Sequence, residues 1–145
     1  MFTLPGSSRR EVSELPKTLS VFKLYHSTIE EIEGLEGLEA LKRLDISNCK
    51  IQNLDGLGQL TSLSSLILSD CNYLSLPDLS NLKSLKVLEI KQCKMIHQIE
   101  GLEKLTSLEK LNISECPAEN TVQVQKALKR EMESMDSETE TGDPL

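Results

Sequence analysis

Four stretches of the chain end on a cysteine and share one phrase: LKRLDISNC (41–49), LSSLILSDC (63–71), LKVLEIKQC (85–93) and LEKLNISEC (108–116). The cysteines Cys49, Cys71, Cys93 and Cys116 are spaced by 22, 22 and 23 residues, which is the signature of an internal repeat. A weaker copy, LSVFKLYHS (19–27), lies one step earlier with Ser27 in the cysteine position. The second half of each phrase alternates apolar and polar, as in Leu44-Asp45-Ile46-Ser47, and a period of two is that of a short strand with one face buried.

The remainder of each unit has another period. After Cys49 come Ile51, Leu54, Leu57, Leu60 and Leu63, each three residues on, and Ile29 to Leu41 and Tyr73 to Leu85 run the same way. A strict period of three suits 3-10 turns, whose side chains at i and i+3 eclipse, better than an α-helix. Gly34, Gly37, Gly56, Gly58, Gly101 and Pro77 would interrupt any longer helix here. Each unit has more inward aliphatics than it can shield alone, and burying one is worth about 1.5–3 kcal/mol. Stacking neighbours answers that need and implies a parallel sheet with one strand per unit, strands about 4.8 Å apart.

The fold expected is therefore α/β: a solenoid of about five 22–23-residue repeats. Short parallel strands form one face and 3-10 or irregular turns the other. The cysteine column is expected to point inward, each thiol a small hydrophobe and weak donor beside backbone groups of the next coil. Neither a CxxC pair nor a convergent ligand set is present, so no metal, cofactor or catalytic residue is expected. The net charge of −7 argues against nucleic acid, and no apolar run of membrane-spanning length occurs. The opening residues lack the apolar stretch of a signal peptide, which places the chain in the cytoplasm, with the nucleus as the alternative.

The phrases LSNLKSLKVLEIKQCKMI (79–96), GLEKLTSLEKLNISECP (101–117) and ISNCKIQNLDGLGQL (46–60) resemble the leucine-rich repeats of plant intracellular immune receptors. The likeness is to those with an N-terminal Toll/interleukin-receptor-type domain and a central nucleotide-binding domain. The resemblance covers about residues 15–117. It implies a protein-interaction module of the defence response that recognises a pathogen effector or host target, or restrains the receptor's nucleotide-binding domain. No phosphate-binding GxxxxGK[ST] stretch is present, so the receptors' nucleotide switch does not carry over. The alternative is a free-standing cytosolic leucine-rich-repeat scaffold that regulates a partner such as a protein phosphatase. Such scaffolds usually have Asn where this chain has Cys.

Residues 1–18 read as an irregular lead-in, 19–117 as the solenoid, 118–136 as a C-terminal capping helix and 137–145 as a disordered acidic tail. Asn120 is the expected helix cap, with Val124, Leu128, Met132 and Met135 on one face. On the strands, the outward central column is Lys23, Asp45, Ile67, Glu89 and Asn112. From this column and its flanks, Tyr25, Arg43, Asp45, Ile67, Glu89 and Lys91 form the expected contact set for a protein partner. Exposed aromatic and arginine side chains are favoured interface anchors.

Overall fold

The computed structural model describes residues 9–11 and 15–130. Five strands, β2 (Val21–Tyr25), β4 (Arg43–Ser47), β5 (Ser65–Ser69), β6 (Val87–Lys91) and β7 (Lys110–Ser114), lie side by side in that order. Every pairing is parallel. The register runs Lys23, Asp45, Ile67, Glu89, Asn112 across the sheet, so equal positions of the repeat stand in one column. The fold is thus the solenoid expected from the repeat, with the period-two phrase as its strand.

The inward side chains of the strands, such as Leu44, Ile46, Leu66, Leu68, Leu88 and Ile90, are fully buried. Behind them the period-three leucines close each coil. The turns Leu35–Gly37, Leu57–Gln59 and Leu102–Lys104 are 3-10, each closed by a leucine N–H donating back three residues. Gly34, Gly56 and Gly101 open these turns in the left-handed region, at φ 83°, 91° and 85°. The third coil lacks that glycine. Pro77 and Asp78 stand there, and the Ser80 N–H donates to Asp78 Oδ1 at 2.9 Å, an Asx-type turn that serves the same bend.

One expectation needs correction in this coil. Tyr73 is exposed, and Leu74 takes the inward place. A hydrogen-bonded turn, Leu74 N–H to Cys71 carbonyl at 3.4 Å, inserts one residue between the cysteine and the first core side chain. The coil keeps its 22-residue length because the next step, Leu74 to Leu76, is two residues instead of three. The fourth coil makes the same turn, Ile96 N–H to Cys93 carbonyl at 3.2 Å, but without the shortened step, which accounts for its 23 residues.

The ends also differ from expectation. Residues 9–11, within the lead-in read as irregular, form strand β1 (Arg9–Glu11), parallel to β3 (Glu31–Glu33) in a separate two-stranded sheet. At the other end Pro117–Asn120 is a 3-10 turn and the helix begins at 122, one residue later than an Asn120 cap requires. Thr121 is the cap: its Oγ1 accepts the Val124 N–H at 3.3 Å. Val124 is buried, Ala127 and Leu128 pack partly on the core, and Gln123 bonds Glu103 of the last coil, so residues 122–130 lie over the solenoid's end. Met132, Met135 and the acidic tail lie outside the described residues.

Gly101 is the tightest of these positions. A Cβ there would sit 2.4 Å from the Ser80 amide nitrogen, backbone that cannot swing aside. Gly101→Ala is expected to combine this clash with left-handed strain of about 1–2 kcal/mol and to lower stability by more than that figure. Gly37→Ala, where nothing lies within 4 Å of the added Cβ, should cost far less. Chemical denaturation of the two variants checks the contrast.

Candidate functional site: the strand face and its rim

A parallel ladder places every second strand residue outward, and the register fixes which ones meet. Tyr25, Arg43, Asp45, Ile67, Glu89 and Lys91 all lie on this face within β2, β4, β5 and β6. Three of them form one unit. Asp45 Oδ2 accepts from the Arg43 guanidinium at 2.9 Å (Nη2) and 3.3 Å (Nε), and from the Tyr25 hydroxyl at 3.1 Å. Arg43 is two residues before Asp45 on the same face, and Tyr25 reaches across from the neighbouring strand.

Asp45 was expected as an exposed contact residue, and the structure corrects this: it is only 4 % exposed. The tyrosine and the arginine cover its carboxylate and are themselves 44 % exposed. Its role on the face is to hold those two side chains. Oδ1 is buried without a donor.

The rest of the face is milder. Ile67, Val21 and Val87 are half-buried, and Glu89 forms an ion pair with Lys110 at 2.8 Å. With Asp45 paired to Arg43 as well, both carboxylates of the face are neutralised. Lys91 is exposed at the strand ends. The set therefore divides into a fixed Tyr25–Asp45–Arg43 cluster, the half-buried Ile67, a neutralised Glu89 and a separate Lys91.

At the C-terminal rim of the sheet a feature appears that the pattern of leucines did not signal. His26, Asn48, Asp70, Gln92 and Glu115 each follow a strand and each have a left-handed backbone, φ 52–56°. Asn, Asp and His tolerate this region; Gln and Glu are held there by the stack. The amides of the first four donate to the carbonyl ending the next strand, at 2.9–3.0 Å, which extends the ladder by one bond. The left-handed residue also turns the chain inward, and the residue that follows, Ser27 in the first coil and a cysteine in the other four, is buried.

Three of the four thiols donate to a backbone carbonyl of the preceding coil, where the next coil was expected, and Cys71 also bonds the Cys93 thiol of the following coil. Cys49 donates to the Leu24 carbonyl at 3.4 Å, and Cys71 and Cys116 reach Ile46 and Ile90 at 3.6 Å. Burial pushes the Cys49 and Cys116 thiols up, and Cys71 is raised by its hydrogen bond to Cys93 and then by burial. Buried thiols held neutral in this way are poor nucleophiles and poor ligands, while Cys93 is shifted downward by the hydrogen bond it shares with Cys71. Among the described residues no group of three or more His, Cys, Asp or Glu side chains is arranged to hold a metal, and no helix is long and apolar enough to cross a membrane.

Residues 39–83 match the family model of Leucine Rich repeats (2 copies). No match is found among curated proteins. The matched region spans β4 and β5, and the same unit recurs on both sides of it in the sheet. The fold is a leucine-rich-repeat solenoid, repeats of this kind indicate a protein-interaction module, and such solenoids are typically non-enzymatic binding scaffolds.

Tyr25 reports on the cluster directly. Desolvation, the nearby Asp45 charge and their hydrogen bond hold its phenol above the ordinary value of 10.0. The neutral phenol is the favoured form, so its contribution to stability is whole below about pH 10 and is lost as pH rises through the raised value. In Tyr73→Phe protein, where Tyr25 is the remaining tyrosine, an absorbance titration is expected to show a midpoint above 10. Asp45→Asn should move it part of the way down, because desolvation persists. An unchanged midpoint would speak against the contact.

Proposed function

We propose that this chain is the recognition segment of a plant-type intracellular immune receptor, or of a truncated relative, working in the cytoplasm or nucleus. Its strand face binds a protein through Tyr25, Arg43, Ile67, Glu89 and Lys91, with the buried Asp45 holding the first two in place. The partner is a pathogen effector, a host target or the receptor's own nucleotide-binding domain.

The observation that carries the binding surface is the Tyr25–Asp45–Arg43 cluster. An aromatic ring and a guanidinium plane, both half exposed, are fixed in place by a shared buried carboxylate. Side chains held in the free protein lose little entropy on binding, and tyrosine and arginine are the residue types most often found to dominate interfaces. The half-buried Ile67 beside them supplies apolar area without a large exposed patch. The receptor class is supported by the cysteine-ended phrases quoted above, which resemble those of the immune receptors more than those of phosphatase-regulating scaffolds.

The test is recovery of partners with the tagged chain from plant cells, alongside Tyr25→Ala/Arg43→Ala protein with unchanged thermal unfolding. A nucleotide-binding receptor or pathogen protein is expected, with affinity reduced about tenfold or more in the variant. Recovery of a phosphatase catalytic subunit would overturn the immune reading and leave the face intact. Binding undiminished in the variant would overturn the face.

A further inference from the structure

The charge of the strand face does not follow that of the chain. The sequence has a net charge of −7, yet the three outward columns of the sheet hold four cations, Lys23, Arg43, Lys91 and Lys110, and two carboxylates, Asp45 and Glu89. Exposure sharpens the contrast. The carboxylates lie low, their side chains 6 % and 16 % exposed, beneath the arginine and the lysine that pair with them, at 44 % and 60 %. Lys91 is exposed and Lys23 half-buried, and neither makes an ion pair with another described residue. A partner approaching the face meets cations first.

The flanks do not undo this excess. The residues that precede the strands add Lys42 and Lys86 against Glu109. Those that follow add Asp70 and Glu115, the latter engaged by Gln92 at 2.8 Å. Sheet and flanks together hold six cations and five carboxylates, so the carboxylate excess of the chain lies elsewhere.

The cations of the face also have a pattern. The central strand β5 has none: its outward residues are Ser65, Ile67 and Ser69. Lys23 and Arg43 stand on the strands to one side of it, and Lys91 and Lys110 on those to the other. With neighbouring strands about 4.8 Å apart, the outer pair, Lys23 and Lys110, lie about 10 Å to either side of β5.

We propose that the occupant of the strand face is an acidic protein segment that crosses the strands, with an apolar side chain over Ile67 and carboxylates on both sides of it. The proposal rests on the reading of this face as the binding surface and adds the chemistry of its partner. Complementary charge of this kind speeds encounter and fixes the register of docking. A nucleic acid would call for a denser basic surface than four cations spread over five strands, two of them already paired, and a lipid surface for a wider apolar face.

The experiment is selection of displayed peptides long enough to cross the five strands, with a fixed central leucine and Glu, Lys or Ser at every other position, on the immobilised full chain. The affinities of the selected peptides are then measured. Enriched peptides are expected to carry Glu on both sides of the leucine and to bind more weakly as salt is added. Lys23→Gln/Lys91→Gln protein should bind them roughly tenfold more weakly with unchanged thermal unfolding, since neither lysine is held in an ion pair, and Ile67→Ser protein should lose affinity to a similar degree. Lys126→Gln/Lys129→Gln protein, with the same change of net charge on exposed side chains of the C-terminal helix, should bind as the wild type does. Neutral or Lys-rich peptides whose binding is lost in Tyr25→Ala/Arg43→Ala protein would overturn the acidic partner and leave the strand face standing. Acidic peptides indifferent to all the strand-face variants, or weakened equally by the helix variant, would overturn the proposal and the strand face with it. Absence of enrichment would overturn the proposal. An oligonucleotide of random sequence held as tightly as the peptides, and released in Lys23→Gln/Lys91→Gln protein, would assign the face to polyanions and overturn the protein-segment reading.

Discussion

The parallel, in-register ladder between successive coils is the constraint on which the rest of this structure depends. A single coil has leucines on its strand and on its turns but no second layer to cover them. Only the neighbouring coil, offset by one repeat, offers matching apolar surface and matching backbone donors at the same time. Register is therefore the physical requirement, and a coil can change its length only where the extra residue is taken up in a turn and leaves the strands in column. The third and fourth coils show two answers to the same inserted turn residue. One shortens the next step, from Leu74 to Leu76, and the other lets the coil grow to 23 residues.

The ladder also creates the surfaces that matter for recognition. Once register is fixed, each outward side chain has a determined neighbour on each side, and Tyr25, Asp45 and Arg43 can be joined across two strands. The left-handed residues at the rim continue the ladder for one more bond and redirect the chain, which is why a buried cysteine follows in four coils and Ser27 in the first. Ser27 serves differently from the thiols: its Oγ accepts the Ile29 N–H at 3.1 Å. The inserted turns then project Tyr73 and Met95 from a rim whose backbone is already immobilised. Recognition by such a scaffold needs no moving part in the strands themselves.

Much of this was legible in the amino-acid sequence because repetition multiplies weak signals. A lone LxxLxLxxC would be ambiguous, but four copies spaced 22 or 23 residues apart fix both the strand register and the outward columns. The misreadings share a cause: each concerns a side chain or cap decided by local geometry below the level of the period. Tyr73 fits the three-residue spacing as well as Leu74 does, and only the hydrogen-bonded turn separates them. Asp45 alternates outward like any polar strand residue, and its burial follows from two long neighbours folding over it. Thr121 and Asn120 are both good caps, and the 3-10 turn begun by Pro117 decides for the later one. The left-handed rim residues gave a faint hint in His26, Asn48 and Asp70, which Gln92 and Glu115 obscure. The strand at residues 9–11 has no apolar pattern to announce it.

The most direct test of the central claim is residue-resolved amide hydrogen exchange of the full chain. If the coils are locked by an in-register ladder that extends into the rim, the amides of His26, Asn48, Asp70 and Gln92 exchange as slowly as those of the strands they follow. The Glu115 amide, which has an exposed Glu119 carboxylate as its partner at 3.1 Å, exchanges much faster. Rapid exchange at all five rim positions, while the strands remain protected, would contradict the account, because the ladder would then stop short of the surface on which it is said to position the binding residues.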